Sequence, residues 1–362
     1  MAKKINEIIA HQLKRARAVA GLSLRDLAKA TNGLLSHTAI SKYEKGLTTP
    51  GSAALAALSE ALDQPLDFFI RELTPPLRRV RHRKRSSKLS AKASDALVER
   101  AGIFFERYQE VETILDVSHD FEPPFPDEEV TSVDSIHSLA MRLRDEWALG
   151  RDPLPNVHQL MELKGIKVHE LATDNDAFDG FSAWSADGKP LVVIAQRLND
   201  DIPRKRMTEV HELAHVILNI PDDMPEKDEE KLVWDFAGEL LMPREEFCDL
   251  FGKRTRISLP ELIDLKGHFG VSIMAMIYRA GKLGLISDHL KVSFYKFANK
   301  QGWRTKGEPG KKAYRGSESS TRFQALVHRA VVEEKITESK GAALLQIPLG
   351  SLRKDLEGVT FS

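Results

Sequence analysis

MTEVHELAHVIL, from Met207 to Leu218, holds two histidines four residues apart, His211 and His215, with Glu212 directly after the first. Val210, Leu213, Ala214, Ile217 and Leu218 recur at helical spacing, and no proline or glycine interrupts them, so the pattern predicts a buried or amphipathic helix. On a helix, residues i and i+4 leave one face a turn apart, which suits a single metal ion. Buried histidines need partners, and an ion satisfies both. Glu212 then stands beside the ion rather than on it, placed to accept a proton from a water that the ion activates. The competing reading is an ordinary helix that happens to carry two histidines.

Three protein ligands and an open position define a catalytic zinc site, so a third ligand is expected downstream. EEKLVWDFAGELLMP, Glu229 to Pro243, reads as a second helix with Leu232, Val233, Phe236, Ala237, Leu240 and Leu241 on one side. Glu230 aligns with Val233, Ala237 and Leu241 on the inward face, an odd place for an unpaired carboxylate. This is the zincin arrangement. HELAH, a glutamate about fifteen residues later and then FAGELLMP together resemble the ImmA/IrrE family of bacterial and phage metallopeptidases, whose members read HELxH followed by E-x-x-A-x-x-F-A-x-x-L-L-M-P. The resemblance implies that His211 and His215 are metal ligands, Glu212 the catalytic base and Glu230 the third ligand. Glu230 keeps the family's distance to Phe236, with adjacent Glu229 as the alternative. Val233 stands where the family has alanine, and Trp234 where it often has a small polar residue or histidine. The implied cofactor is zinc, with manganese as the alternative.

Formal charge over all 362 residues is zero, but it is unevenly spread. Residues 1 to 88 hold 17 Lys and Arg against 7 Asp and Glu, a net +10, and the remainder holds 36 against 46. The basic end is suited to a polyanion. There, Ile8, Ile9, Leu13 and Ala16 have helical spacing, Gly21 can end that helix and Ser23 can cap the next. GLSLRDLA, then TAISKYEKG, then TPGSAALAALSEAL resemble the Xre or lambda-repressor type of helix-turn-helix domain, over roughly Ile5 to Ile70. That resemblance implies duplex DNA as a partner. The second helix of the motif would read base edges through His37, Thr38, Ser41 and Lys42, while Arg15, Arg17 and Lys45 would meet phosphate. Ala39 and Ile40 read as core.

PPLRRVRHRKRSSK, Pro75 to Lys88, reads either as a linker or as a further phosphate-facing segment. From Leu89 to Leu115 the pattern is helical, suited to dimerisation or to docking on a neighbouring part. FEPPFPDEE, Phe121 to Glu129, is a proline-rich loop. Two helical stretches follow, Ser135 to Leu149 and Leu154 to Lys164. GIKVHEL, Phe178 to Ser185 and PLVVIAQ then read as three strands of a small antiparallel sheet, the last two forming a hairpin at Asp187-Gly188. A substrate peptide could add to an exposed strand near Leu191 to Gln196. Ser258 to Ile286 reads as helix, turn, helix, with His268 as a surface or capping residue ahead of a transition-state donor. Lys291 to Arg315 is basic and loop-like. Beyond it, FQALVHRAVVEEKITESKGAALLQIPLGSLRKDL has the rhythm of a second helix-turn-helix without a basic recognition helix, and a helical packing module is the preferred reading.

The expected fold is mainly α with a small antiparallel sheet. It comprises a lambda-repressor-like five-helix helix-turn-helix domain over 1–74, a basic linker and connecting helix over 75–127, an α+β zincin-like metallopeptidase domain over 128–300 and a C-terminal helical module over 301–362. One cysteine, Cys248, no run of about eighteen apolar residues and no signal-peptide pattern lead to the expectation of a reducing, cytoplasmic setting without membrane contact. The resemblance implies a DNA-binding regulator, expected as a homodimer, whose peptidase cleaves a repressor or antitoxin-like protein in a stress, mobile-element or toxin-antitoxin circuit. The alternatives are a transcription regulator whose peptidase fold senses a signal, or an antitoxin-like protein that holds a partner. Intact Glu212 favours the enzyme, because a pure binding module has no use for it.

Overall fold

The computed structural model describes residues 2–71, 75–84 and 89–357. In chain order the helices begin with α1 (Ala2–Val19), α2 (Leu24–Ala30), α3 (His37–Glu44) and α4 (Ser52–Leu62). Strand β1 (Arg78–Lys84) precedes α5 (Ala91–Leu115), α6 (Ile136–Glu146) and α7 (Val157–Leu163). Then come β2 (Lys167–Leu171), β3 (Phe178–Trp184), β4 (Pro190–Ala195), α8 (Ile202–Ile217) and α9 (Glu226–Leu241). The remainder is α10 (Arg244–Phe251), α11 (Leu259–Phe269), α12 (Ile273–Lys282), α13 (Asp288–Lys300), α14 (Trp303–Lys306), α15 (Arg322–Val332), α16 (Glu338–Leu345) and α17 (Leu349–Leu356). The chain divides into two compact units, one of Met1–Arg78, Ser87–Ser118 and Thr321–Ser362, the other of Arg79–Ser86 and His119–Ser320. No helix among the described residues is long and apolar enough to cross a membrane.

In the first unit, α1 to α4 and a 3-10 turn at Leu66–Ile70 supply the five helical segments of the helix-turn-helix domain. Ser23 and Asp26 close a capping box that starts α2, and the Ser36 hydroxyl accepts the Ala39 N–H to start α3. Leu13, Leu27, Ile40, Leu58, Phe68 and Phe69 meet in one core, to which α5 adds Ile103. Thus α5 belongs to this unit. Its other face carries Tyr108, stacked on Phe323 of α15 at 5.1 Å, and Arg107, which donates to the Leu344 carbonyl at 2.8 Å. The segment after Thr321 therefore packs on α5 through α15 and α16. Within it, α16 and α17 are joined by Gln346, Ile347 and Pro348, with Gln346 in the left-handed region.

In the second unit β2, β3 and β4 form a mixed sheet, which β1 extends beside β3 to give the order β1-β3-β4-β2. The expected hairpin is present, with Phe181 opposite Val193, but β2 runs parallel to β4. An all-antiparallel sheet is therefore corrected to a mixed one. All six residues of β4 are buried, and such a strand needs a neighbour on each edge to satisfy its backbone. Strand addition along Leu191 to Gln196 is excluded by the same pairing, because both edges of β4 are taken. The stretch read as a linker supplies β1 instead; the side chains of residues 79–84 lie outside the described set, and so does the expectation that they meet phosphate.

The sheet presses on α8. At Gly180 of β3 a Cβ would stand 2.8 Å from the Val193 carbonyl oxygen and 3.1 Å from Thr208 of α8, so a side chain there would drive helix and sheet apart. The unit also continues beyond residue 300, the boundary expected from the sequence. Lys205 and Arg206 of α8 are fully buried. Lys205 donates to the Glu318 carbonyl at 2.6 Å and Arg206 to the Tyr314 hydroxyl at 2.7 Å and the Glu318 carboxylate, which straps residues 314–318 onto the helix.

Candidate functional site

Helix α8 starts where the Asp201 side chain accepts the Arg204 N–H and Pro203 occupies the first turn, which presets the helical backbone. It is pinned to the sheet by Arg204, whose guanidinium reaches the buried Asp179 carboxylate of β3 at 2.5 Å. On this fixed helix His211 and Glu212 are fully buried, and His215 is nearly so. Helix α9 is oriented just as firmly. Its buried Glu239 takes Arg279 of α12 at 2.8 Å and His137 of α6 at 2.9 Å, with its pKa held below the ordinary carboxylate value because these two partners outweigh the cost of burial. Arg144 of α6 donates to the Leu240 carbonyl at 2.6 Å, closing the end of α9.

These supports bring His211, His215 and Glu230 together, with one donor atom from each lying within 4.8 Å of the others. The Nε2 atoms of His211 and His215 stand 3.6 and 3.7 Å from the two Glu230 carboxylate oxygens. Two imidazoles and one carboxylate are the donor set of a zinc site with an open position, so the residues present fit the ion that the sequence implies. Glu229 occupies a different place, 3.1 Å from the other ring nitrogen of His215, Nδ1. A carboxylate there fixes the ring's orientation and leaves Nε2 turned toward Glu230. Pattern reading offered Glu229 only as an alternative ligand, although the glutamate doublet was itself the signal. Trp234 packs its ring 4.8 Å from that of His211, a contact that a small residue at this position would not make. His268 stands apart as a surface residue, 3.3 Å from Glu246.

Behind His211 lies a second cluster. Glu209 is fully buried, and burial pushes its carboxyl up to about 8, against the pull of Lys205. Glu318 rises to about 7 through burial and the neighbouring Glu209. Both groups hold their proton more tightly folded than unfolded. Their stabilising effect is therefore complete below the ordinary value of 4.5 and is lost as pH rises through about 7 to 8. The melting temperature should accordingly fall between about pH 6.5 and pH 8.5, above the range in which His158, whose pKa burial lowers, acts in the opposite sense, and Glu318→Gln should flatten that fall. A wild-type profile that is level or rising across this interval would contradict the assignment.

On the other unit, α3 presents His37, Thr38 and Lys42 exposed, with Ser41 half-buried beside them and Lys45 exposed at the helix end. Ile40 is core, as its apolar character predicts, and Ala39 is half-buried. Arg15 and Arg17, expected to meet phosphate, are ion-paired within their own unit. Arg15 bonds to Glu99 at 2.5 Å and Glu106 at 2.6 Å on α5, while Arg17 holds Glu44 through two nitrogens at 2.6 and 2.9 Å. These ion pairs brace the domain.

Comparison with family models finds a match in each unit. Residues 13–69 match the helix-turn-helix model, and residues 161–280 match the IrrE N-terminal-like domain of the M78 peptidases. The chain joins an Xre-like helix-turn-helix to an ImmA/IrrE-type metallopeptidase domain. The matched IrrE-like stretch contains β2 to β4, α8, α9 and the whole histidine-glutamate cluster. No curated protein matches the chain.

Proposed function

We propose that the chain is a cytoplasmic, operator-bound regulator that binds zinc through His211, His215 and Glu230 and cleaves a regulatory protein, a repressor or antitoxin-like partner, in a stress, mobile-element or toxin-antitoxin circuit. The observation that carries this reading is the convergence of those three donors beside buried Glu212, in a chain that also bears a DNA-binding domain. Bound zinc would polarise a water and the scissile carbonyl. Glu212 takes the proton from the attacking water and delivers it to the departing amine nitrogen, so that the peptide C–N bond breaks without a free hydroxide or amide anion. Glu229 keeps the His215 ring from rotating. Two copies on a pseudo-palindromic site would place the peptidase where its target is bound.

Because β4 is enclosed, substrate docking belongs to another edge or surface, and specificity rests on recognition away from the cut. The test is co-expression with the proteins encoded beside it. Wild-type protein should yield one discrete fragment of one neighbour, which Glu212→Gln should not yield, while casein remains largely intact. If no neighbour, and not the chain itself, is cut under metal-replete and stress conditions, the protease reading is withdrawn.

A further inference from the structure

Beside the metal centre the second unit contains a cavity of about 720 Å³, within the size range of small-molecule sites. One wall is the face of α9 that carries Trp234, Asp235 and Gly238 at helical spacing, and another is α8 at Met207, one turn before His211. The far side comes from α12, α13, α14 and the segment up to Lys311. Helices α13 and α14 lie beyond the stretch that matches the IrrE-like domain, so this enclosure is additional to that domain.

The lining combines two kinds of chemistry. Trp234, Tyr278 and Trp303 contribute aromatic surface, and Trp303 is set in place by edge contacts with Phe294 and Phe297, both at 5.8 Å. Seven Lys and Arg line the cavity against three Asp and Glu. Four of the cations already have carboxylates: Arg204 pairs with Asp179, Lys266 with Glu308, Arg279 with Glu239 and Lys282 with Asp235. Among the described residues no carboxylate pairs with Lys231, Lys306 or Lys311, and all three are exposed. Gly238 adds an independent sign. A glycine inside a helix weakens it relative to alanine, yet nothing lies within 4 Å of where its Cβ would stand, so neighbouring atoms do not require it. It leaves room on the cavity wall.

We propose that this cavity binds a phosphorylated small molecule with a planar aromatic ring, of the nucleotide class, its ring against the tryptophan and tyrosine wall and its phosphates on Lys231, Lys306 and Lys311. An acidic peptide would use the lysines but leave the aromatic and methionine surface unfilled. Phosphate alone would leave more of it bare. The occupant would lie on Trp234, whose ring is 4.8 Å from that of His211, so binding bears directly on a metal ligand. That last consequence rests on the function proposed above; the binding itself does not.

The experiment uses full-length Glu212→Gln protein, zinc-loaded, titrated with ATP, AMP, adenosine, pyrophosphate and a hexaglutamate peptide, with tryptophan fluorescence and calorimetry as readouts. ATP and AMP should saturate the protein and bind about ten-fold or more tighter than adenosine or pyrophosphate, since both halves of the ligand are used. The combined Lys306→Ala and Lys311→Ala variant should weaken ATP by about ten-fold or more at unchanged melting temperature and zinc content. Gly238→Leu, which fills the wall, should abolish binding. No saturable response to either nucleotide, binding indifferent to the lysines, or saturation by hexaglutamate alone each overturns the proposal. Zinc content separates the two readings: zinc without nucleotide removes this site and leaves the peptidase, and nucleotide without zinc does the reverse.

Discussion

Glu212→Gln is expected to keep its metal and lose its chemistry. Glutamine matches glutamate in size and stays on the buried face of α8, so His211, His215 and Glu230 keep their positions and bind zinc as before. It cannot take a proton from the attacking water or return one to the leaving nitrogen. General acid-base catalysis by a placed carboxylate contributes about 10² to 10⁴ in rate, and a loss of that size in cleavage at unchanged zinc content is the expected result. Side-by-side timing of the discrete cut with both proteins at matched metal content checks it. Cleavage within about three-fold of wild type would remove Glu212 from the mechanism, since such a change is smaller than any general-base effect.

On DNA the largest effect should come from salt. The +10 charge of residues 1 to 88 and the exposed Lys42 and Lys45 on and after α3 favour counterion release. Full-length protein retained on duplex promoter DNA at 50 mM salt should lose about 10³-fold or more in affinity by 200 mM, as expected for six or more phosphate contacts. Thr38→Ala and Lys42→Ala should change which sequence is preferred, by about 1 to 3 kcal/mol per lost base contact, whereas Lys45→Ala should weaken all sequences alike. Arg17→Ala should act differently. It leaves the Glu44 carboxylate, largely buried against α1, without its guanidinium, which costs about 3 kcal/mol of stability, so binding should fall in step with the melting transition. Absence of retention at low salt by a protein that still melts cooperatively would contradict the DNA-binding role.

Why some of this was legible and some not follows from where the partners lie. HELAH could be read because its apolar residues fix the helix and therefore the face on which both histidines stand. That Glu230 lies beside them was legible from its inward position on the second helix and from the family-like distance to Phe236. Both inferences use neighbours within one helix or the chemistry of a single ion. The sheet was different: alternation and turn residues mark strands but do not order them, and β2 lies beside β4, 24 residues away in the register of Lys167 with Leu191. The unbroken apolar run Leu191 to Ala195 was the available sign that β4 is central. The ion pairs of Arg15 and Arg17 were not legible because their carboxylates sit 84, 91 and 27 residues along the chain. Charge alone could not assign those pairs. The same holds for Lys205 and Arg206, conspicuous in a buried helix, whose partner Glu318 comes from a segment beyond the expected end of the domain.

Bound zinc per chain, measured on metal-replete preparations, tests the histidine-glutamate centre most directly. Wild-type protein should carry close to one ion, and His211→Ala, His215→Ala and Glu230→Ala should each carry very little. Glu229→Ala should retain an ion with about ten- to a hundred-fold weaker affinity, as expected when a carboxylate that orients a ligating histidine is removed. Metal lost from Glu229→Ala and retained in full by Glu230→Ala would move the third ligand to the neighbouring residue, and wild-type protein that binds no zinc under these conditions would contradict the account at its centre.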